Sequence, residues 1–231
     1  MIVPLFFEQL LVMLVGIADT FFISRAGESA VAGVSLVNQF NTVFIYLFSA
    51  LAAGGAVIIS QYIGKGNQEL AGESSGQLLM FSVLFSAVLT VLVLVGNRSL
   101  LHMIFGNVER DVMEACVTYL RISAYSYPAI AVYNAGAAIC RSLGKTYVTM
   151  YVSILANAVN IIGNTIGIFV LHAGVAGVAY PSLVSRVLAA AIVTVYCFRQ
   201  ENGVYYKREW IVEWNGSLLG KILRIAVPNG A

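Results

Sequence analysis

Charge is the scarcest property of this chain. Lysine, arginine, aspartate and glutamate make up 10% of its 231 residues, against about 25% in an ordinary soluble domain. A formal net charge of +2 leaves no basic surface for nucleic acid. Cysteine is rare as well. Cys116, Cys140 and Cys197 are odd in number, far apart and set in apolar runs. No CxxC pair or His/Cys cluster occurs, which excludes a disulfide framework and a zinc site; the three read as small buried apolar side chains. The two histidines, His102 and His172, form no HExxH, and no pair of facing aspartates stands out. An intramembrane protease therefore lacks its chemistry, and the chain reads as a non-enzyme without a cofactor.

What the chain does have is apolar sequence, 59% of the total. One soluble core cannot hide that much, so part of the solvent is lipid. The runs predict an all-α, polytopic membrane protein, a bundle of six transmembrane helices each near or above the ~20 residues a bilayer requires. The predicted spans cover residues 2–24, 29–63, 70–95, 112–140, 147–171 and 175–198. The second is long enough to tilt or protrude. Gly96-Asn97-Arg98 predicts the end of the third, with a short interfacial piece over 99–107. Pro128 predicts a kink in the fourth. A polar connection follows, with Trp210 and Trp214 suited to the interface. Lys65, Arg141, Lys145, Arg199, Lys207, Arg208, Lys221 and Arg224 fall on one side of this topology, and Arg25, Arg98 and Arg110 on the other. The positive-inside rule then puts the N-terminus in the cytoplasm of a cell bearing the protein in its plasma membrane. Met1 leads straight into the first span with no cleavable signal peptide. Near the other end Val227-Pro228 repeats Val3-Pro4, which suggests a second, similar half beginning.

Asp19 lies deep in the first apolar segment. A carboxylate there costs roughly 2.5–3.5 kcal/mol near the bilayer centre, and intramembrane acids serve ion or proton pathways more often than packing. Glu8, three turns earlier, falls near the boundary, where a structural or gating role suffices. Ser153, Asn157, Asn160 and Asn164 recur at steps of four, three and four, so they share one helix face. That face looks inward, either as a wet, ion-accessible wall or as hydrogen-bonding glue between helices. Gly163 and Gly167 form a small-xxx-small pair for close helix packing. Tyr119, Tyr125, Tyr127 and Tyr133 read mostly as packing or interface anchors. Ser182 and Arg186 sit one turn apart on a single face. Arg186 either pairs with Asp19, and so suppresses cation binding, or finds another partner.

These residues carry a resemblance. Pro4 with Glu8-Gln9-Leu10-Leu11 and Gly16…Asp19-Thr20 comes first, then Tyr133-Asn134-Ala135 and Arg141-Ser142-Leu143-Gly144-Lys145. Asn160-Ile161-Ile162-Gly163-Asn164 and Gly174-Val175-Ala176-Gly177-Val178-Ala179 follow. In order and spacing the chain resembles the multidrug and toxic compound extrusion (MATE) family of secondary antiporters. The resemblance implies the N-terminal six-helix lobe of a two-lobe, twelve-helix transporter: residues 1–200 as the lobe, 201–216 as the cytoplasmic inter-lobe connection, and 217–231 as the start of a second lobe. It implies a cation site at Asp19 completed by Tyr119, Asn134, Asn160, Asn164 and Ser182, holding H⁺ or Na⁺ and no other metal. Some members place a second acid where Asn164 stands, and threonine is usual where Ser182 follows Pro181. The implied function is cation-coupled export of organic, often cationic drugs or toxic compounds, completed by a C-terminal lobe or a second copy. The alternatives are a lipid-linked oligosaccharide flippase of the same superfamily, toward which Arg186 leans, and an inactive fragment. The expected partners are a small organic substrate and the lipid bilayer, and not nucleic acid.

Overall fold

A computed structural model of the chain describes the backbone of residues 2–106, 108–199 and 215–230. Every element among them is helical: α1 Ile2–Ser24, α2 Glu28–Gly64, α3 Gln68–Phe105, α4 Arg110–Tyr125, α5 Tyr127–Ser142, α6 Thr146–Thr165, α7 Ala176–Cys197 and α8 Gly216–Gly230. A π turn, Ile166–Val170, extends α6. Four of these segments are long and apolar enough to cross a membrane: α2, α3, α6 with its π turn, and α7. The side chain of Glu8 and the connection carrying Lys207, Arg208, Trp210 and Trp214 lie outside the described residues.

The first span matches its predicted range, and its outer face suits lipid. Phe6, Phe7, Leu10, Met13, Leu14, Ile17 and Phe21 recur at three- and four-residue steps and are exposed. In a bilayer such a stripe contacts acyl chains, and the opposite face turns toward the bundle. There α1 packs chiefly against α6.

Two predicted boundaries are corrected. The third span does not stop at Gly96: α3 runs unbroken to Phe105, so residues 99–105 continue that helix rather than forming a separate interfacial piece. The reason is tertiary. Asn97 is buried and its Nδ2 donates to Val117 O of α4 at 3.2 Å, which satisfies a polar group that local propensity assigns to a turn. The predicted kink in the fourth span is instead a full break, with Ser126 between two helices. Pro128 has no N–H to give the carbonyl of Ala124 four residues back, and its ring disfavours helix there. That carbonyl accepts at 3.2 Å from the Thr90 hydroxyl of α3, which also reaches Ser86 O. The broken turn is therefore satisfied from a neighbouring helix.

Tyrosines near this break reach into the bundle. Tyr127 is fully buried and its hydroxyl donates to Asn41 Oδ1 at 2.7 Å, while Tyr119 donates to Asn38 Oδ1 at 3.1 Å. Both amides belong to α2, so α2 is tied to each side of the break. Tyr127→Phe leaves the Asn41 carbonyl without this donor in a buried site, an expected loss of about 1–3 kcal/mol. Thermal unfolding in detergent checks it; an unchanged midpoint would show that the bond contributes nothing.

Close approaches position α7. Pro181 lies inside this helix and lacks the N–H that Gly177 O needs. A Cβ on Gly167 would stand 2.2 Å from that same oxygen, and one on Gly163 would stand 2.7 Å from Pro181 Cβ. The Gly163/Gly167 pair therefore seats the irregular stretch of α7 directly on the end of α6 and its π turn, as the small-residue spacing suggested. All three cysteines are buried and none forms a disulfide.

Candidate functional site

Two apolar clusters build the core. Val37, Leu120 and Val178 belong to one, and Leu51, Ile139 and Val193 to the other. Ser49 of α2, Asn134 of α5 and Ser182 and Arg186 of α7 fall between these clusters, and there a cavity of about 590 Å³ opens. Its wall takes Asp19 from α1, Thr42 and Ser49 from α2, Asn134 from α5, Asn157 and Asn160 from α6, and Ser182 and Arg186 from α7.

One hydrogen-bonded chain crosses this wall. Asn164 donates Nδ2 to Asp19 Oδ1 at 2.5 Å and to Asn160 Oδ1 at 3.1 Å. Asn160 in turn donates to Ser182 Oγ at 3.0 Å, and Ser182 donates to Val178 O in its own helix. Four of the six residues implied for the cation site are thus joined in sequence: Asp19, Asn164, Asn160, Ser182. With Asp19 ionised the network also fixes the Asn164 amide, because turning it over would set its oxygen against the Asp19 oxygen it now donates to. In that orientation Asn164 Oδ1 is buried with no hydrogen-bond partner among the described residues. A buried carbonyl-type oxygen beside a carboxylate, with no donor of its own, is the kind of hard oxygen a small cation selects. The residues therefore fit Na⁺, or a proton on the Asp19 carboxyl with Asn164 alongside.

The remaining two stand differently. Asn134 lines the cavity, yet its Nδ2 donates back to Ile130 O one turn earlier. Tyr119 does not line the cavity; its hydroxyl is spent on Asn38. Neither is hydrogen bonded to Asp19. Arg186 does not close on Asp19 either. Its Nη1 donates to Ser126 Oγ at 2.7 Å, at the break between α4 and α5, and the ion pair found among the described residues is Arg110 with Glu114 on the surface. The carboxyl of Asp19 is thus free of a permanent salt bridge there.

Sequence reasoning missed Asn38 and Asn41, an exposed and a buried amide of α2 three residues apart. That spacing, inside an apolar run, was the available signal. It also missed Arg141 and Ser185 as cavity residues.

A helical bundle with an acid and amides on the wall of a cavity of mixed polar and apolar lining matches one lobe of a membrane transporter. The chain belongs to the MatE family, whose model matches residues 4–166. It is 30% identical over 98% of its length to the "Uncharacterized transporter YisQ" of Bacillus subtilis, covering 50% of that protein. It is 28% identical over 97% of its length to the "Probable multidrug resistance protein NorM" of Thermotoga maritima, covering 48% of it. The fold also superposes with a TM-score of 0.91 on an outward-facing multidrug resistance MATE family transporter of the MOP superfamily, at 24% identity, covering 99% of this chain and 50% of that one. The chain spans about half the length of the curated relatives it matches.

Proposed function

We propose that this chain is one lobe of a cation-coupled antiporter that exports organic, often cationic compounds, with Asp19 as the coupling carboxylate. The observation that carries it is the buried Asn164 Oδ1, without a hydrogen-bond partner among the described residues, on the amide that binds Asp19. Loading H⁺ or Na⁺ there cancels a charge that is costly in the membrane and changes the hydrogen bonding between α1 and α6. α1 is then the element whose packing depends on occupancy, since α6 holds Asp19 through Asn164. A compound in the cavity is released as the cation binds from outside, and release of the cation inward resets the lobe. One elementary charge moving down 100 mV is worth about 2.3 kcal/mol, which sustains roughly a fiftyfold gradient. Relatives named for multidrug resistance support this reading. The N-terminus faces the cytoplasm, and the complete cleft needs a C-terminal lobe or a second copy of this one.

The test is efflux of a fluorescent organic cation from vesicles under an imposed sodium or proton gradient, by the complete transporter containing this lobe. The gradient that drives export names the coupling ion; export driven by neither overturns the proposal. Asn160→Ala separates a cation-accessible face from simple glue. It removes the acceptor of Asn164 and the donor to Ser182 together, so cation dependence should weaken about five- to thirtyfold, the equivalent of one to two hydrogen bonds. Leu155→Ala, on the exposed side of α6, should leave it near wild type. Equal effects favour glue.

A further inference from the structure

The coupling reading occupies the Asp19 end of the cavity and leaves the opposite end without a task. Asn160 and Ser182 meet where α6 and α7 pack as consecutive helices joined by a short connection. Asn157 stands three residues before Asn160 and Arg186 four after Ser182. In antiparallel helices both steps run the same way, by about 4.5–6 Å. Asn157 and Arg186 therefore form the next layer of the wall, and both line the cavity.

This layer is rich in donors and short of acceptors. Among the described residues the Asn157 amide makes no hydrogen bond, and its Nδ2 is buried. A guanidinium carries five N–H donors in a planar fork. Among the described residues a single hydrogen bond holds Arg186, to Ser126 Oγ, and no carboxylate lies in ion-pair contact with it. A second guanidinium, Arg141, lines the same cavity. Bracing the Ser126 break alone would need only one donor. A fork with spare N–H groups beside an orphaned amide N–H matches a planar or tetrahedral oxyanion.

Resting on the reading of this cavity as the substrate cleft, we propose that Arg186 and Asn157 form a subsite for an acidic group, a carboxylate or phosphate, on the transported compound. The cavity then has two unlike ends. Asn164 and Asn157 are seven residues apart on α6, so the Asp19 layer and the Arg186 layer are about 10 Å apart. An amphoteric compound of that length places its basic group at Asp19 and its acidic group at Arg186. A coupling cation competes with the basic group alone, and the acidic group supplies affinity that the cation does not contest. The same subsite would accept a lipid phosphate, and the test distinguishes the two sources.

The experiment measures binding of coumarin-3-carboxylate and of its methyl ester to the full chain in phosphatidylcholine nanodiscs, by equilibrium dialysis. The acid should bind at least about tenfold more tightly than the ester. Arg186→Gln should remove that preference while leaving ester binding within about twofold, the size expected for a lost charge-assisted pair. Should Arg186→Gln fail to insert, Arg186→Lys and Asn157→Ala carry the test, and each should reduce the preference at least about threefold. Displacement of the bound acid by phosphatidylglycerol added to the discs, but not by soluble phosphate, names the lipid headgroup as the natural source; displacement by soluble phosphate names a soluble compound. Acid and ester binding alike in wild type, or a preference that survives every variant, overturns the subsite. Asp19→Asn, run in parallel, separates the two readings. Loss of sodium or proton dependence there with an intact acid preference condemns neither, whereas cation dependence unaltered in Asp19→Asn condemns only the coupling role.

Discussion

Asp19→Asn is expected to reduce cation-coupled export by the complete transporter to about a tenth or less of wild type, with insertion into the membrane unchanged. The substitution keeps size and shape. It also keeps an oxygen that can accept from Asn164 Nδ2, so the bond between α1 and α6 survives in a weaker, uncharged form. What disappears is the capacity to change charge state. An amide neither takes up a proton nor balances a sodium ion, so the energy of the ion gradient has no point of application. The expected result is a protein that binds substrate and no longer responds to the gradient. Efflux measured beside surface expression checks it, and export equal to wild type would remove Asp19 from the mechanism.

The second large effect is structural. Gly167→Val should destabilise the lobe by about 1–3 kcal/mol or more and should also impair cation dependence. A Cβ at this position would come within 2.2 Å of Gly177 O, and backbone has no rotamer by which to withdraw. The π turn and α7 must then separate. Asn164 lies one turn before Gly167, and its partner chain reaches Ser182 through Asn160. Spreading the two helices lengthens that chain at its narrowest point. Thermal unfolding in detergent reads the first effect and sodium or proton dependence of efflux the second. Gly16→Ala is the control, because a Cβ there meets nothing within 4 Å. Equal behaviour of the two variants would show that the close seating is unimportant.

Much of this architecture was legible in the chain before any coordinates. Long apolar runs gave the spans, and α1, α2, α6 and α7 begin and end within a residue or two of their predicted limits once the π turn is joined to α6. The asparagine face of α6 was legible because a 3.6-residue period leaves four polar residues on one side. The failures share a cause. Gly96-Asn97-Arg98 looks like a helix end in isolation, and only the α4 carbonyl that takes the Asn97 amide makes it helix interior. Pro128 marks an irregularity, yet whether a proline bends a helix or splits it depends on what satisfies the freed carbonyl, and Thr90 lies 34 residues away in sequence. Arg186 was ambiguous for the same reason. Its partner, Ser126, sits at a break that sequence did not place.

That break has a mechanical consequence. Ser126 already interrupts the backbone ladder, and α3 holds the loose carbonyl of Ala124. Swinging α4 relative to α5 therefore severs no rung, whereas bending α2 or α3 at the same depth would tear several. Arg186 holds Ser126 from the cavity side, beside the Tyr119–Asn38 and Tyr127–Asn41 bonds to α2 and the Thr90 bond to Ala124, so drawing the guanidinium away removes one of four ties on the joint.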